Sequence, residues 1–191
     1  LGLLKYPALI AFSFVLVFQS GFEGASGSFT VSFLDKSAGM DNAAATLSMT
    51  WFTLGMMAGR LPLGAIMNRL KDLGTLYLYL TVALIGVVLF YLFSNEVAVV
   101  YAAMTLIGFG VGATFPVVLN YIGGAFRELS GTAFSIALFI ALCGQSAFNK
   151  LTGLAFDDGN YQLLPLMLIL AVVAIMVLVP FAVSIAKKMN K

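Results

Sequence analysis

The chain has 191 residues, of which 61% are hydrophobic and only 9% charged, with a mean hydropathy of +1.04. Soluble domains carry about 25% charged and about 45–50% apolar residues, so lipid rather than water surrounds most of this chain, and a free-standing soluble enzyme, a nucleic-acid-binding module and a disordered chain are excluded. The net charge of +2 is too small to point to a polyanionic partner, and the absence of histidine removes the commonest neutral-pH acid-base group and metal ligand. A single cysteine, Cys143, allows neither an internal disulfide nor a cysteine-based zinc site, so no metal and no cofactor are expected. The chain opens on Leu1 rather than Met and shows no signal-peptide pattern, which reads as a fragment or processed piece.

A membrane helix needs about 20 apolar residues. Six such runs are predicted in chain order: Pro7–Leu34, Ala43–Met67, Thr75–Phe93, Val97–Ile122, Gly131–Phe156 and Gln162–Ala186. Short polar breaks separate them, at 35–42, 68–74, 94–96, 123–130 and 157–161. Each run is apolar all round rather than alternating, which favours helices over the strands of a membrane barrel. The prediction is an all-α membrane protein, a single bundle of six transmembrane helices spanning 1–191.

Positive charge orients the bundle. One side collects Lys5, Arg69, Lys71, Arg127, Lys187, Lys188 and Lys191, and the other Lys36 and Lys150, which puts both termini in the cytoplasm. The seven tyrosines sit close to predicted helix ends, as an interfacial aromatic belt requires.

Polar groups are unevenly distributed. The first, second, fourth and fifth runs hold Gln19, Glu23, Arg60, Asn120, Gln145 and Asn149, whereas the third and sixth are nearly bare. Amides and charges in lipid are costly unless they face protein or water, so the third and sixth helices are expected to face lipid and the other four to line an interior. The two-wet-then-dry order occurs twice, at 7–93 and 97–186, and an odd number of helices per copy inverts the second: two inverted three-helix repeats, as many secondary transporters use. Gly55-x-x-x-Gly59 and Gly108-x-x-x-Gly112 have the spacing that lets two helix backbones approach closely, a spacing also common in apolar helices by composition alone. Gly108 to Gly112 lacks the strand, third glycine and acid of a dinucleotide fingerprint, and no Gly-Lys-Ser/Thr phosphate loop occurs.

The second run continues into its loop as Gly59-Arg60-Leu61-Pro62-Leu63-Gly64-Ala65-Ile66-Met67-Asn68-Arg69-Leu70-Lys71-Asp72-Leu73-Gly74. This resembles the motif between the second and third helices of each half in the major facilitator superfamily. Gly64, Ile66 and Arg69 match; Asn68 stands where the family has an aspartate. Together with Gly21-Phe22-Glu23-Gly24-Ala25-Ser26, Trp51-Phe52 and Gly59-Arg60, the chain resembles the C-terminal bundle of the fucose:proton symporter and related sugar permeases. The resemblance implies one six-helix half of a twelve-helix carrier in the bacterial inner (plasma) membrane. The partners it implies are the lipid bilayer, an N-terminal six-helix half or a second copy, a small polar solute and a proton. It also implies a cavity lined by the first and fourth helices, the pair rich in polar groups.

Gln19 lies 12 residues into its run, about 18 Å deep and near the midplane. Glu23 follows one turn later on the same face. The run Ser20, Gly21, Gly24, Ser26, Gly27 and Ser28 weakens the helix, so a bend exposing backbone groups is expected there. Gln19, Glu23, Ser26, Thr114, Gln145 and Asn149 are the candidate solute contacts, since amide, carboxylate and hydroxyl each bond several solute hydroxyls. Glu23 is the candidate proton carrier, or bonds the fifth helix. Arg60 is expected near the cytoplasmic interface, about 20 Å from Glu23 in depth, bonding helix-end carbonyls or snorkelling. Arg60, Gly64, Arg69 and Pro116 are the candidate gating or structural residues. Phe109 and Phe115 offer rings to a sugar or simply to lipid. A channel lacks a recognisable filter here, and an intramembrane enzyme lacks an acid-base set; the chain is expected not to be an enzyme.

Overall fold

A computed structural model describes residues 5–189, all of them in helices joined by short turns and none in a strand. Lys191, counted among the flanking cations, lies outside the described residues. The first helix, α1 (Pro7–Lys36), starts on a proline, whose missing N–H is no loss in a first turn. It runs for 30 residues, about 45 Å. After Gly39, at φ +65, the Asp41 side chain accepts from the Ala43 N–H at 3.0 Å and opens α2 (Asn42–Arg60). Then come α3 (Leu63–Leu92), α4 (Val97–Gly112), α5 (Thr114–Ala125), a 3-10 turn at Arg127–Leu129, α6 (Ser130–Asp157) and α7 (Leu163–Met189).

Five helical stretches are long and apolar enough to cross a membrane: Pro7–Lys36, Leu63–Leu92, Val97–Ala125, Arg127–Asp157 and Leu163–Lys188. These are the dimensions of an integral membrane protein. The expected second span divides at Pro62, which ends α2. Thr46, Ser48, Thr50, Thr53 and Arg60 dilute the apolar character of α2, which is absent from the five. The expected break at 68–74 narrows to one residue, Lys71, at φ 59 and ψ 172, with helix on both sides. The fourth span runs from Val97 to Ala125 and divides into α4 and α5 at one residue, Ala113, whose backbone keeps helical angles (φ -88, ψ -26). In the opposite sense, the bend expected at Ser20–Ser28 does not form, because α1 is unbroken there.

The helices pack in a fixed set of pairs: α2 on α4, α3 on α4, α1 on α6, α1 on α7, and α3 on α7. Within the bundle, α6 is the least buried of the five long helices, and more than half of the apolar stretch of α3 and of α7 also lies outside the core. Only 17% of the most apolar stretch of α6 is buried, against 44% for α3, 39% for α7 and 61% for α1. The reason is the shape of the contact. Against α1, α6 turns a narrow row of small residues, Ala133, Ala137, Ala141 and Gly144, ending in Phe148 and Thr152, and leaves Phe139, Leu142, Leu151 and Leu154 outside.

The two Gly-x-x-x-Gly motifs pack on each other. A Cβ on Gly108 would strike the Phe52 carbonyl oxygen, and one on Gly55 that of Thr105. A Cβ on Gly59 would come within 2.5 Å of the Phe109 oxygen, and one on Gly112 within 2.9 Å of the Met56 oxygen. Each obstacle is backbone, which cannot rotate away. Two apolar helices in lipid gain nothing from leaving the solvent, so this close approach, with its dispersion contacts, is what binds them. Gly108→Ala is therefore expected to destabilise by about 1–3 kcal/mol through overpacking, although alanine is the better helix former by about 1 kcal/mol. Gly124, where a Cβ meets nothing within 4 Å, is the control. Thermal unfolding in detergent should show Gly108→Ala melting earlier and Gly124→Ala unchanged or later.

Candidate functional site

The centre of the bundle is organised around the interruption at Ala113. In a continuous helix the N–H of residue 116 would bond the carbonyl of residue 112, but Pro116 has no N–H. The Gly112 carbonyl is thereby freed, and the Arg60 side chain takes it, its Nε donating at 3.2 Å. One residue earlier, the Val111 carbonyl accepts from Gln19 Nε2 at 3.2 Å. The same Gln19 amide nitrogen donates to Glu23 Oε1 at 2.8 Å. Side chains from α1 and α2 thus converge on the end of α4. Arg60 and Gln19 hold adjacent peptide carbonyls, which brings the guanidinium to the level of the Glu23 carboxylate.

This corrects the expected position of Arg60. It does bond a helix-end carbonyl, but the end belongs to α4 and lies 15 residues, about 22 Å, along the interrupted span. That is mid-bundle, within electrostatic reach of Glu23, and not some 20 Å away near an interface. The close α2–α4 packing carries it there, since Gly59, the residue before it, lies against the Phe109 backbone.

A second carbonyl, in the last turn of α2, is held by a side chain in the same way. With α2 ending at Pro62, the Gly59 oxygen accepts from the Tyr79 hydroxyl at 2.7 Å. Tyr79 is fully buried and its ring stacks on Phe109 at 4.9 Å and 9°. Both residues differ from expectation: Tyr79 is an interhelix clamp rather than an interfacial anchor, and Phe109 faces protein. Other tyrosines do sit at element ends, Tyr101 donating to the Ala44 carbonyl at 3.2 Å and Tyr6 meeting Phe126 edge-on at 5.5 Å.

Of the candidate solute contacts, Gln19 and Ser26 are buried and Glu23 is half-buried, all three on one face of α1. Thr114 is buried at the start of α5, three residues past Val111. Gln145 and Asn149 of α6 lie over Gly24: a Cβ there would meet Gln145 Nε2 at 2.6 Å and Asn149 Nδ2 at 3.0 Å. They approach α1 beside Glu23 but on the face turned to α6, so the six residues share a depth without sharing one wall. Gly24, like Gly21 beneath Phe148, serves close packing rather than bending. Gly64 faces open space and Arg69 is exposed, so neither marks a close helix contact. Among the described residues, five buried side-chain polar atoms have no partner: Gln19 Oε1, Ser26 Oγ, Thr30 Oγ1, Thr114 Oγ1 and Asn149 Oδ1. Four belong to the candidate residues.

Sequence reasoning missed the carbonyls of Val111 and Gly112, although the spacing of Pro116 four residues after Gly112 carries the signal. It also missed Thr30, which shares the Glu23 face at i+7. At this end of the site the chemistry is that of an all-polar, hydrogen-bonding wall with one carboxylate and one guanidinium.

The Arg60–Gly112 bond should depend on the proline. In Pro116→Ala the backbone N–H returns and competes for the Gly112 oxygen. Arg60→Ala is then expected to cost about 1 kcal/mol more in the natural background than in Pro116→Ala. A double-mutant cycle on detergent unfolding measures the difference, and equal costs in both backgrounds would sink the assignment.

No protein-family model matches this chain, and comparison with curated proteins returns no match.

Proposed function

We propose that this chain works as one six-helix half of a secondary active carrier of the major facilitator kind, moving a small polar solute, with sugars the leading class, by alternating access. The observation that carries this reading is the α4–α5 junction, where the Gly112 carbonyl freed by Pro116 is held by Arg60 of α2 and the adjacent Val111 carbonyl by Gln19 of α1. Discontinuous helices at a repeat boundary are how transporters present backbone groups to cargo without opening the fold to lipid. The orphan oxygens of Gln19, Ser26, Thr114 and Asn149 suit solute hydroxyls, which satisfy buried acceptors and donors together.

The packing supports two copies of a three-helix unit. If α1, α2 and α3 are exchanged for α4–α5, α6 and α7, the pair α2–α4 becomes α6–α1, and α3–α4 becomes α7–α1. Both members of each exchange are observed pairs, and α3–α7 maps onto itself. On this reading α2 and the pieces of α3 on either side of Lys71 complete six crossings, both termini are cytoplasmic, and the membrane is the cell's inner membrane. The partner is a second six-helix half, and solute binds between the two.

Solute counterflow in proteoliposomes, run over a panel of neutral sugars, tests this. These residues together with an N-terminal six-helix half are expected to give saturable exchange, and these residues alone none. Gln19→Leu should lower exchange about tenfold, the equivalent of one hydrogen bond. Non-saturating conductance in place of exchange would replace the carrier reading by a pore.

A further inference from the structure

Among the described residues, eight helix hydroxyls share one habit. Ser13, Thr75, Thr105 and Thr152 each bond the carbonyl four residues back, at 2.7–3.0 Å. In lipid that is the local way to satisfy a hydroxyl. Ser26 and Thr30 break it: both are buried, at 1% and 0% exposure, and neither hydroxyl has any partner.

Their positions are ordered. Gln19, Glu23, Ser26 and Thr30 fall within an arc of about 60° on α1 at 100° per residue. Thr30 is about 10 Å beyond Glu23 and about 9 Å short of the helix end at Lys36. Since α1 exceeds the roughly 30 Å hydrocarbon core by about 15 Å, Thr30 lies near the level where water begins. A buried hydroxyl with no protein partner is ordinarily satisfied by water.

We propose that Ser26 and Thr30 hold a file of water molecules along this face of α1, connecting Glu23 to the Lys36 end of the bundle and making Glu23 the site of proton uptake. A proton delivered from hydronium in bulk water passes along the file to a Glu23 carboxylate oxygen, leaving water behind and a neutral carboxyl in place. Release reverses the transfer, and no covalent bond to carbon changes. Among the described residues, the charged group acting on Glu23 is Arg60 of α2. From α6 the nearby groups are the uncharged amides of Gln145 and Asn149 and the exposed Lys150 one residue on. The end of α4 and the start of α5 contribute Val111 and Thr114, and α7 carries no charged or titratable group before Lys187.

This rests on the carrier reading only for its purpose, and its test needs no solute. Infrared difference spectra of the chain in liposomes during pH steps should show a carboxyl C=O band that Glu23→Gln removes and Glu23→Asp merely shifts. After a switch to heavy water, the wild-type band should shift promptly. In Ser26→Ala/Thr30→Val the shift should slow at least tenfold, and in Ser26→Thr/Thr30→Ser, which keeps both hydroxyls, it should match wild type. Equal rates in the hydroxyl-free and wild-type proteins, or no band dependent on Glu23, would overturn the proposal. If exchange slows as expected but no sugar shows counterflow, the carrier reading fails and the water file stands. If counterflow is present and the rates are equal, the reverse holds.

Discussion

The backbone-to-backbone contact of α2 with α4 is the constraint on which the middle of this bundle depends. Four glycines, Gly55, Gly59, Gly108 and Gly112, alternate along the seam, each meeting a carbonyl of the opposite helix. The register is therefore fixed by sterics and not by side-chain preference. Because Gly59 lies against Phe109 and Gly112 against Met56, Arg60 arrives beside Gly112 whatever its own energetics. Lipid offers a guanidinium nothing, and Arg60 is tolerable there only because α4 ends at that level with a carbonyl to give.

The two interruptions share a logic. A carbonyl is left without its helical donor in a medium without water, and a side chain from another span takes over: Arg60 for Gly112, whose donor Pro116 lacks, and Tyr79 for Gly59, in the last turn of α2. Breaks in membrane helices persist when protein re-satisfies the groups they release. The cost of each break is thereby converted into a tether between helices. Gln19 extends the arrangement, its single amide nitrogen serving both Val111 and Glu23, so α1, α2 and α4 are linked through two adjacent peptide carbonyls.

Much of the architecture was legible because lipid forces length and apolarity together. The limits of α1, α6 and α7 fall within a few residues of the runs read from hydropathy. What periodicity could not deliver was the fate of single residues at chain breaks. Asn68 to Gly74 is polar enough to read as a loop, yet helix resumes after Lys71 alone takes a left-handed φ. Tyr79 lies four residues from a predicted helix start and so looked interfacial, but the α2 terminus that it caps is set by Pro62, on another span. Arg60 was misplaced for the same reason: depth was counted along one helix, while its partner was decided by the packing of two. The helical spacing of Gln19 and Glu23, by contrast, is a local property, and their hydrogen bond follows from it directly.

Glycine content misled in a further, instructive way. A run of Gly and Ser in α1 suggested a bent segment, and Pro116 in the fourth span read only as a gating or structural residue. The structure assigns these the other way round. In α1 the glycines are filled by the neighbouring helix, Gly21 by Phe148 and Gly24 by Gln145 and Asn149, and a glycine whose missing side chain is occupied by a neighbour stiffens a bundle. In α4–α5 the glycines likewise bind α2, so the chain gives way at the one position where a backbone donor is absent and no neighbour's backbone supplies it. The place where a lipid-embedded helix departs from its own hydrogen bonding is therefore better sought at a missing backbone donor than at a small residue, and here it is Ala113, between Gly112, held by Arg60, and the proline at 116.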